Sequence, residues 1–167
     1  MNELLNKISS YNIFNYLFPG FIYAIFISNF TKYNLIQSNI IINLFFLYFI
    51  GLIISRVGSI IIEPLFKKLK WLTFAEYSSF IEAVKKDEKI NLLSEVNNMY
   101  RSIVSMLIII SLTILYEYLQ NKILFIDEYN EIIIIFIMLI LFIFSYIKQT
   151  AYVKKRINIV NGEKENE

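Results

Sequence analysis

The chain of 167 residues has no cysteine and no histidine, and only four glycines and two prolines. Without thiol or imidazole there can be no Ser-His-Asp triad, thiol nucleophile, disulfide, zinc finger, haem ligation or iron–sulfur cluster. Four glycines, none in a run, leave neither a P-loop nor a dinucleotide fingerprint. Charged residues make up only 18% and sum to a formal net charge of +2, too little to predict binding of nucleic acid. No convergent acid, base and nucleophile set stands out. The expectation is a protein that is not an enzyme and uses no cofactor or metal.

What is abundant is apolar. The chain is 57% hydrophobic and 17% aromatic, with a mean hydropathy of +0.56. A soluble domain is nearer half apolar and about a quarter charged, and a chain this short has little interior in which to hide a surplus. The excess is expected to face lipid. Isoleucine alone accounts for 34 positions; with frequent Asn and Lys this is the bias of an AT-rich genome, but the four apolar runs stand on pattern alone.

A membrane-crossing helix needs about 20 mostly apolar residues. Four runs qualify: Ile13 to Phe30, Ile40 to Ile54, Ile103 to Leu119, and Ile132 to Ile147. The last is short by a turn, with Tyr129 and Tyr146 as interfacial aromatics and Lys148 expected to snorkel outward. Residues 1–10 predict a short interfacial helix, with Met1, Leu4, Leu5 and Ile8 at helical spacing. No small-residue cleavage site follows the first run, so a signal peptide is not expected. Fourteen Lys and Arg lie on the side of the N-terminus, middle segment and tail, against Lys32 and Lys122 opposite. That asymmetry predicts that both termini and residues 55–102 are cytoplasmic in a bacterial cell (inner) membrane. The bundle is then 11–54 and 103–148, with a tail over 149–167 whose end, Asn161 to Glu167, is expected to be disordered.

The middle segment predicts a helical stalk. Apolar spacing carries the second helix from about Ile40 to Lys70, and Leu92, Leu93, Val96 and Tyr100 lead into the third. Between them Thr73-Phe74-Ala75-Glu76 matches a capping box, with Leu72 and Tyr77 placed as a staple. Tyr77, Phe80, Ile81 and Val84 then give one apolar face of a small helix.

Gly51, Ser55 and Ser59 repeat every four residues, with Gly58 beside them, a strip on which two helices can approach closely. It predicts helix packing, either within one subunit or as an oligomer face. Arg56 and Glu63 are seven apart on one face near the cytoplasmic boundary; charges there tend to pair, line a cavity or reach headgroups. With Asn15, Asn97 and Arg101 they form a candidate polar cluster, in which Arg56 could hold an anionic lipid or a phosphate. The lysines of the stalk suit anionic headgroups, while interleaved acids argue against nucleic acid. Pro19 and Pro64 predict bends and candidate hinges, and Asn15 can satisfy a backbone carbonyl near the first of them.

The opening Tyr11-Asn12-x-x-Asn15-x-Leu17-x-Pro19-Gly20, the block Ile54-Ser55-Arg56-Val57-Gly58-Ser59 with Glu63-Pro64, and Lys85-Lys86-Asp87-Glu88-Lys89 ending in Asn97-Asn98-Met99-Tyr100-Arg101 resemble a group of small four-span bacterial membrane proteins. Some of these are encoded beside phage-defence genes. The resemblance covers about the first two thirds of the chain. It implies an all-α membrane fold and a role in antiviral defence. The leading expectation is an oligomeric, non-catalytic membrane-perturbing effector or membrane sensor, switched when a cytoplasmic partner engages the stalk. A transporter or channel subunit with substrate contacts at Asn15, Arg56 and Glu63, or a passive scaffold for a cytoplasmic partner, are the alternatives.

Overall fold

A computed structural model describes residues 10–120, 122 and 129–161; nearly all of the interfacial-helix expectation for residues 1–10 and of the disordered end therefore lies outside the described residues. No strand occurs among the described residues, and four helices are long and apolar enough to cross a membrane. Helix α1 runs through Ser10–Asn12, a π-helical turn Ile13–Leu17 and Phe18–Phe30. Helix α2 comprises Ile40–Val57, a second π-turn Gly58–Ile62 and Glu63–Lys68. A small helix α3, Tyr77–Lys86, precedes the 32-residue helices α4, Lys89–Gln120, and α5, Asn130–Asn161.

Local chemistry accounts for the boundaries. Asn39 caps α2, its side chain accepting from the amides of Ile41 and Ile42, which are donors that the first helical turn leaves without partners. At the far end Trp71 N–H donates to Phe66 C=O, the two rings pack at 5.2 Å, and Lys70 takes a φ of 59°. This is the closing loop of a Schellman end, and it stops α2 two residues short of the expected Lys70. Both prolines lie two residues beyond a π-turn. The residue before each closes the widened turn, Phe18 N–H to Ile13 C=O and Glu63 N–H to Gly58 C=O. A proline ring crowds the carbonyl four residues back and offers no N–H; an i→i−5 turn relieves that crowding without ending the helix.

Two expectations are corrected. Thr73 caps nothing: residues 72–76 are not helical and α3 begins at Tyr77, after an extended Glu76 that makes no side-chain cap. The Phe74 ring instead lies 4.2 Å from Lys67 Nζ, holding this stretch against the end of α2. The fourth helix does not stop at Ile147 but continues to Asn161, so most of the expected tail is helix. Its extension meets α3, Tyr77 and Tyr152 packing at 6.0 Å, while Ile81 is buried in the predicted apolar face of α3.

The core is built by three helices. Ile27 of α1, Ile50 and Ile54 of α2, and Met106 and Ile110 of α4 form its centre. At the hairpin end Lys32 N–H donates to Glu117 at 2.6 Å, and Tyr33 donates to Gln120. Helix α5 is attached more loosely. Only 11% of its apolar window is buried, against 28% for α1 and α2, and its lipid-facing isoleucines are exposed.

Candidate functional site

Where α1 crosses α2, the glycine of each helix meets backbone of the other. A Cβ on Gly51 would sit 1.7 Å from Tyr16 C=O, and one on Gly20 would sit 1.9 Å from Leu47 C=O. No side chain fits between them. The small-residue strip on α2 is therefore shared among three neighbours in the same chain. Gly51 takes α1. Gly58 faces α4, where a Cβ added to it would sit 3.2 Å from Ser105 Cβ and 3.3 Å from Arg101 Cγ. Ser59 accepts from Lys148 of α5. Beside them Ser105 Oγ donates to Ile54 C=O at 2.6 Å, and Ser55 is buried. A carbonyl reached by a neighbouring hydroxyl is the kind of interhelical contact that suits a lipid setting.

The charged end of the bundle centres on Glu63. Its Oε1 accepts from Lys67 Nζ at 2.9 Å and its Oε2 from Arg101 Nη1 at 2.7 Å, with the Glu63 side chain only 9% exposed. Lys148 lies within electrostatic range of Glu63, Arg101, Lys67 and Arg56. It does not snorkel outward: its Nζ donates to Ser59 C=O and Oγ at 2.5 and 2.9 Å. With most of the surrounding surface apolar, an ammonium partly buried against α2 is held by the Ser59 carbonyl and hydroxyl, with the Glu63 carboxylate acting on it only at a distance. Three cations, Lys67, Arg101 and Lys148, thus act on one carboxylate.

The expected cluster is brought together only in part. Glu63 and Arg101 pair. Arg56 does not join them, and it makes no salt bridge among the described residues. The reason is the π-turn between positions 56 and 63: the extra residue in that turn rotates Glu63 off the face that an uninterrupted α-helix would share with Arg56. Asn15 is 1% exposed, and its Nδ2 donates to Tyr11 C=O at 3.2 Å. It thus satisfies a carbonyl one turn back, as predicted for this kinked segment. Asn97, one turn before Arg101, is exposed and stands outside the cluster. Lys67 and Lys148 are members that the sequence reading missed. Lys67 was findable, since i, i+4 spacing from Glu63 favours an ion pair. Lys148 carried no such signal, because its partner is 89 positions away.

Tyr11 lies just before the first span and packs edge-on against Tyr16, which packs in turn on Tyr48. Burial pushes its phenol up to about 12, Tyr16 adds to the effect, and the guanidinium charges of Arg101 and Arg56 pull it back. The phenol therefore remains a neutral donor at physiological pH. Asn15 Oδ1, Arg101 Nε and Ser102 Oγ are buried with no hydrogen-bond partner among the described residues. Such atoms are costly, so this end of the bundle holds polar capacity that its own packing does not use.

These features define an all-α protein with four helices long and apolar enough to span a membrane, locked at one end by a buried ionic cluster. Comparisons of the chain with protein-family models, with curated proteins and with solved structures find no match.

Proposed function

We propose that the chain is a non-catalytic, multi-pass protein of the bacterial cell membrane that serves anti-phage defence as a membrane-perturbing effector or membrane sensor. Both termini and the segment between the second and third spans lie in the cytoplasm, as the distribution of Lys and Arg indicates. The observation that carries the proposal is the attachment of α5. This helix is joined to a three-helix core chiefly through Lys148 on Ser59, Phe142 stacked on Phe49, and Tyr116 bonded to Asn130. Tyr152, which touches α3, is one turn beyond Lys148. A cytoplasmic partner that engages α3 would therefore pull on the residue that fastens α5 to α2. Release of α5 would uncover apolar faces within the bilayer, a discrete change of packing rather than a graded one. Association of copies would use the lipid-facing surface, since the small-residue strip is taken up inside each chain.

A transport role finds less support, because hydroxyls lining the gap beside α5, Tyr23 with Thr113 and Tyr116 with Asn130, already bond one another or a neighbour. The test is expression in a bacterial host with and without phage, following membrane potential and dye entry. Collapse of the potential on infection, before lysis, is the expected result; an intact potential with unimpaired phage growth would overturn the proposal. Orientation is checked by reporter fusions. Those at Lys70, Lys86 and Glu167 should report cytoplasm, and those at Asn34 and Asp127 the outside. A cytoplasmic signal at either hairpin would overturn the orientation.

A further inference from the structure

Between α5 and the other three spans lies an open cavity of about 920 Å³. Its walls are side chains such as Ile53 and Ile60 of α2, Leu112 of α4, and Ile133, Leu141 and Phe144 of α5. Protein interiors are packed as densely as organic crystals, so a gap of this size is a site to be filled. Its size falls in the ~300–1,000 Å³ range of small-ligand sites. The occupant must be apolar. Tyr23 and Thr113 spend their hydroxyls on each other at 2.9 Å, Tyr33 donates to Gln120, and Tyr116 donates to Asn130 at 2.7 Å. A polar ligand would leave its own groups without partners there.

Position and length narrow the occupant further. Along α5 the lining runs from Ile133 to Phe144, about 16 Å at 1.5 Å per residue. That is close to half of the ~30 Å hydrocarbon core, the depth that one lipid chain reaches from its headgroup. At one end the cavity reaches the chain neighbours of the ionic cluster. Val57 lines it next to Arg56 in the chain, and Phe144 lines it one turn before Lys148. Both Glu63 oxygens are held by Lys67 and Arg101, so the charge of Arg56 is unmatched by any carboxylate among the described residues. Lys148 uses its ammonium on Ser59 and has a third N–H to offer.

The geometry points to a binding site for one anionic phospholipid, with an acyl chain lying between α5 and α2 and the phosphate held by Arg56 and Lys148. The apolar cavity selects a chain, and the cations just beyond its end select a negative head. A charge-assisted guanidinium–phosphate contact is of the stronger kind. The inference needs only that the bundle lies in a membrane; it is independent of any role in defence.

The test uses the full chain, delipidated in mild detergent and titrated with phosphatidylglycerol or phosphatidylcholine under native mass spectrometry. One phosphatidylglycerol per chain should bind, about tenfold tighter than phosphatidylcholine. Arg56→Gln, which removes no hydrogen bond seen in the bundle, should erase most of that preference, weakening phosphatidylglycerol far more than phosphatidylcholine, whose choline already offsets the phosphate charge. Ile137→Trp, which fills the cavity, should abolish binding of both lipids. In the unmodified protein, phosphatidylglycerol with a photoactivatable chain should crosslink chiefly within residues 133–144 and 53–61. Equal affinity for the two lipids, an unchanged preference in Arg56→Gln, or crosslinks spread over all lipid-facing surfaces would each overturn the site. A dimer that excludes lipid would overturn it too, since a second copy would then fill the gap.

Discussion

Leucine at position 51 should disable the bundle. The Cβ alone would stand 1.7 Å from Tyr16 C=O and 2.5 Å from its carbonyl carbon. The obstacle is backbone, which cannot swing aside as a side chain does, so α1 and α2 must separate along their crossing. Overpacking of a core ordinarily costs ~1–3 kcal/mol, and a backbone collision belongs at the top of that range or above. Gly58→Ala is the comparison. Its nearest neighbours are side-chain atoms at 3.2 and 3.3 Å, which can yield by a few tenths of an ångström, so its loss should be under about 1 kcal/mol. A thermal-shift assay in mild detergent should therefore show a large drop for Gly51→Leu and a small one for Gly58→Ala. Because the crossing lies within one chain, the loss should appear in the monomer itself, not as dissociation of intact monomers. Wild-type melting of Gly51→Leu would mean that the two helices do not meet at this crossing.

Glu63→Gln should cost as much by a different route. The substitution keeps the shape of the side chain but removes the carboxylate that holds Arg101 and Lys67 and faces Lys148. Arg101 is then left with a charge in a largely buried position, where its Nε already lacks a partner. Removing one member of a buried pair typically destabilises by ~3–5 kcal/mol. For a chain of this length that corresponds to a fall in melting temperature of roughly 10 °C. Arg101→Gln should do the same, and the double substitution should lose much less than the sum, because the second change removes the charge that the first left stranded. Additive losses would show that the two residues do not act as a pair.

Much of the architecture was legible because it follows from the bilayer. Four apolar runs of membrane length set the class of fold, and the spacing of Leu92, Leu93, Val96 and Tyr100 carried α4 well back from its span. The apolar face of α3 was readable from Tyr77, Phe80, Ile81 and Val84. Its start was not. The Thr73 capping signal is local, and that stretch instead lies against the end of α2, Phe74 on Lys67. The small-residue strip was legible as a place of close approach, but not its neighbours, since any helix could have filled it.

The sequence by itself determined that the chain is helical and apolar enough to cross a membrane four times, because composition and periodicity are properties of the chain alone. It also marked Gly51 as a point of close approach, and Arg56 and Glu63, with Arg101 nearby, as charges at the membrane boundary. Only the tertiary structure decided who meets whom. The π-turn ahead of Pro64 rotates Glu63 away from Arg56 and toward Arg101, 38 positions on. The arrival of Ser59 beside α5 turns Lys148 inward when the sequence alone sends it to the headgroups. The cavity beside α5 belongs to no segment of sequence, for it arises where three closely packed helices meet a fourth that is packed against them only in part.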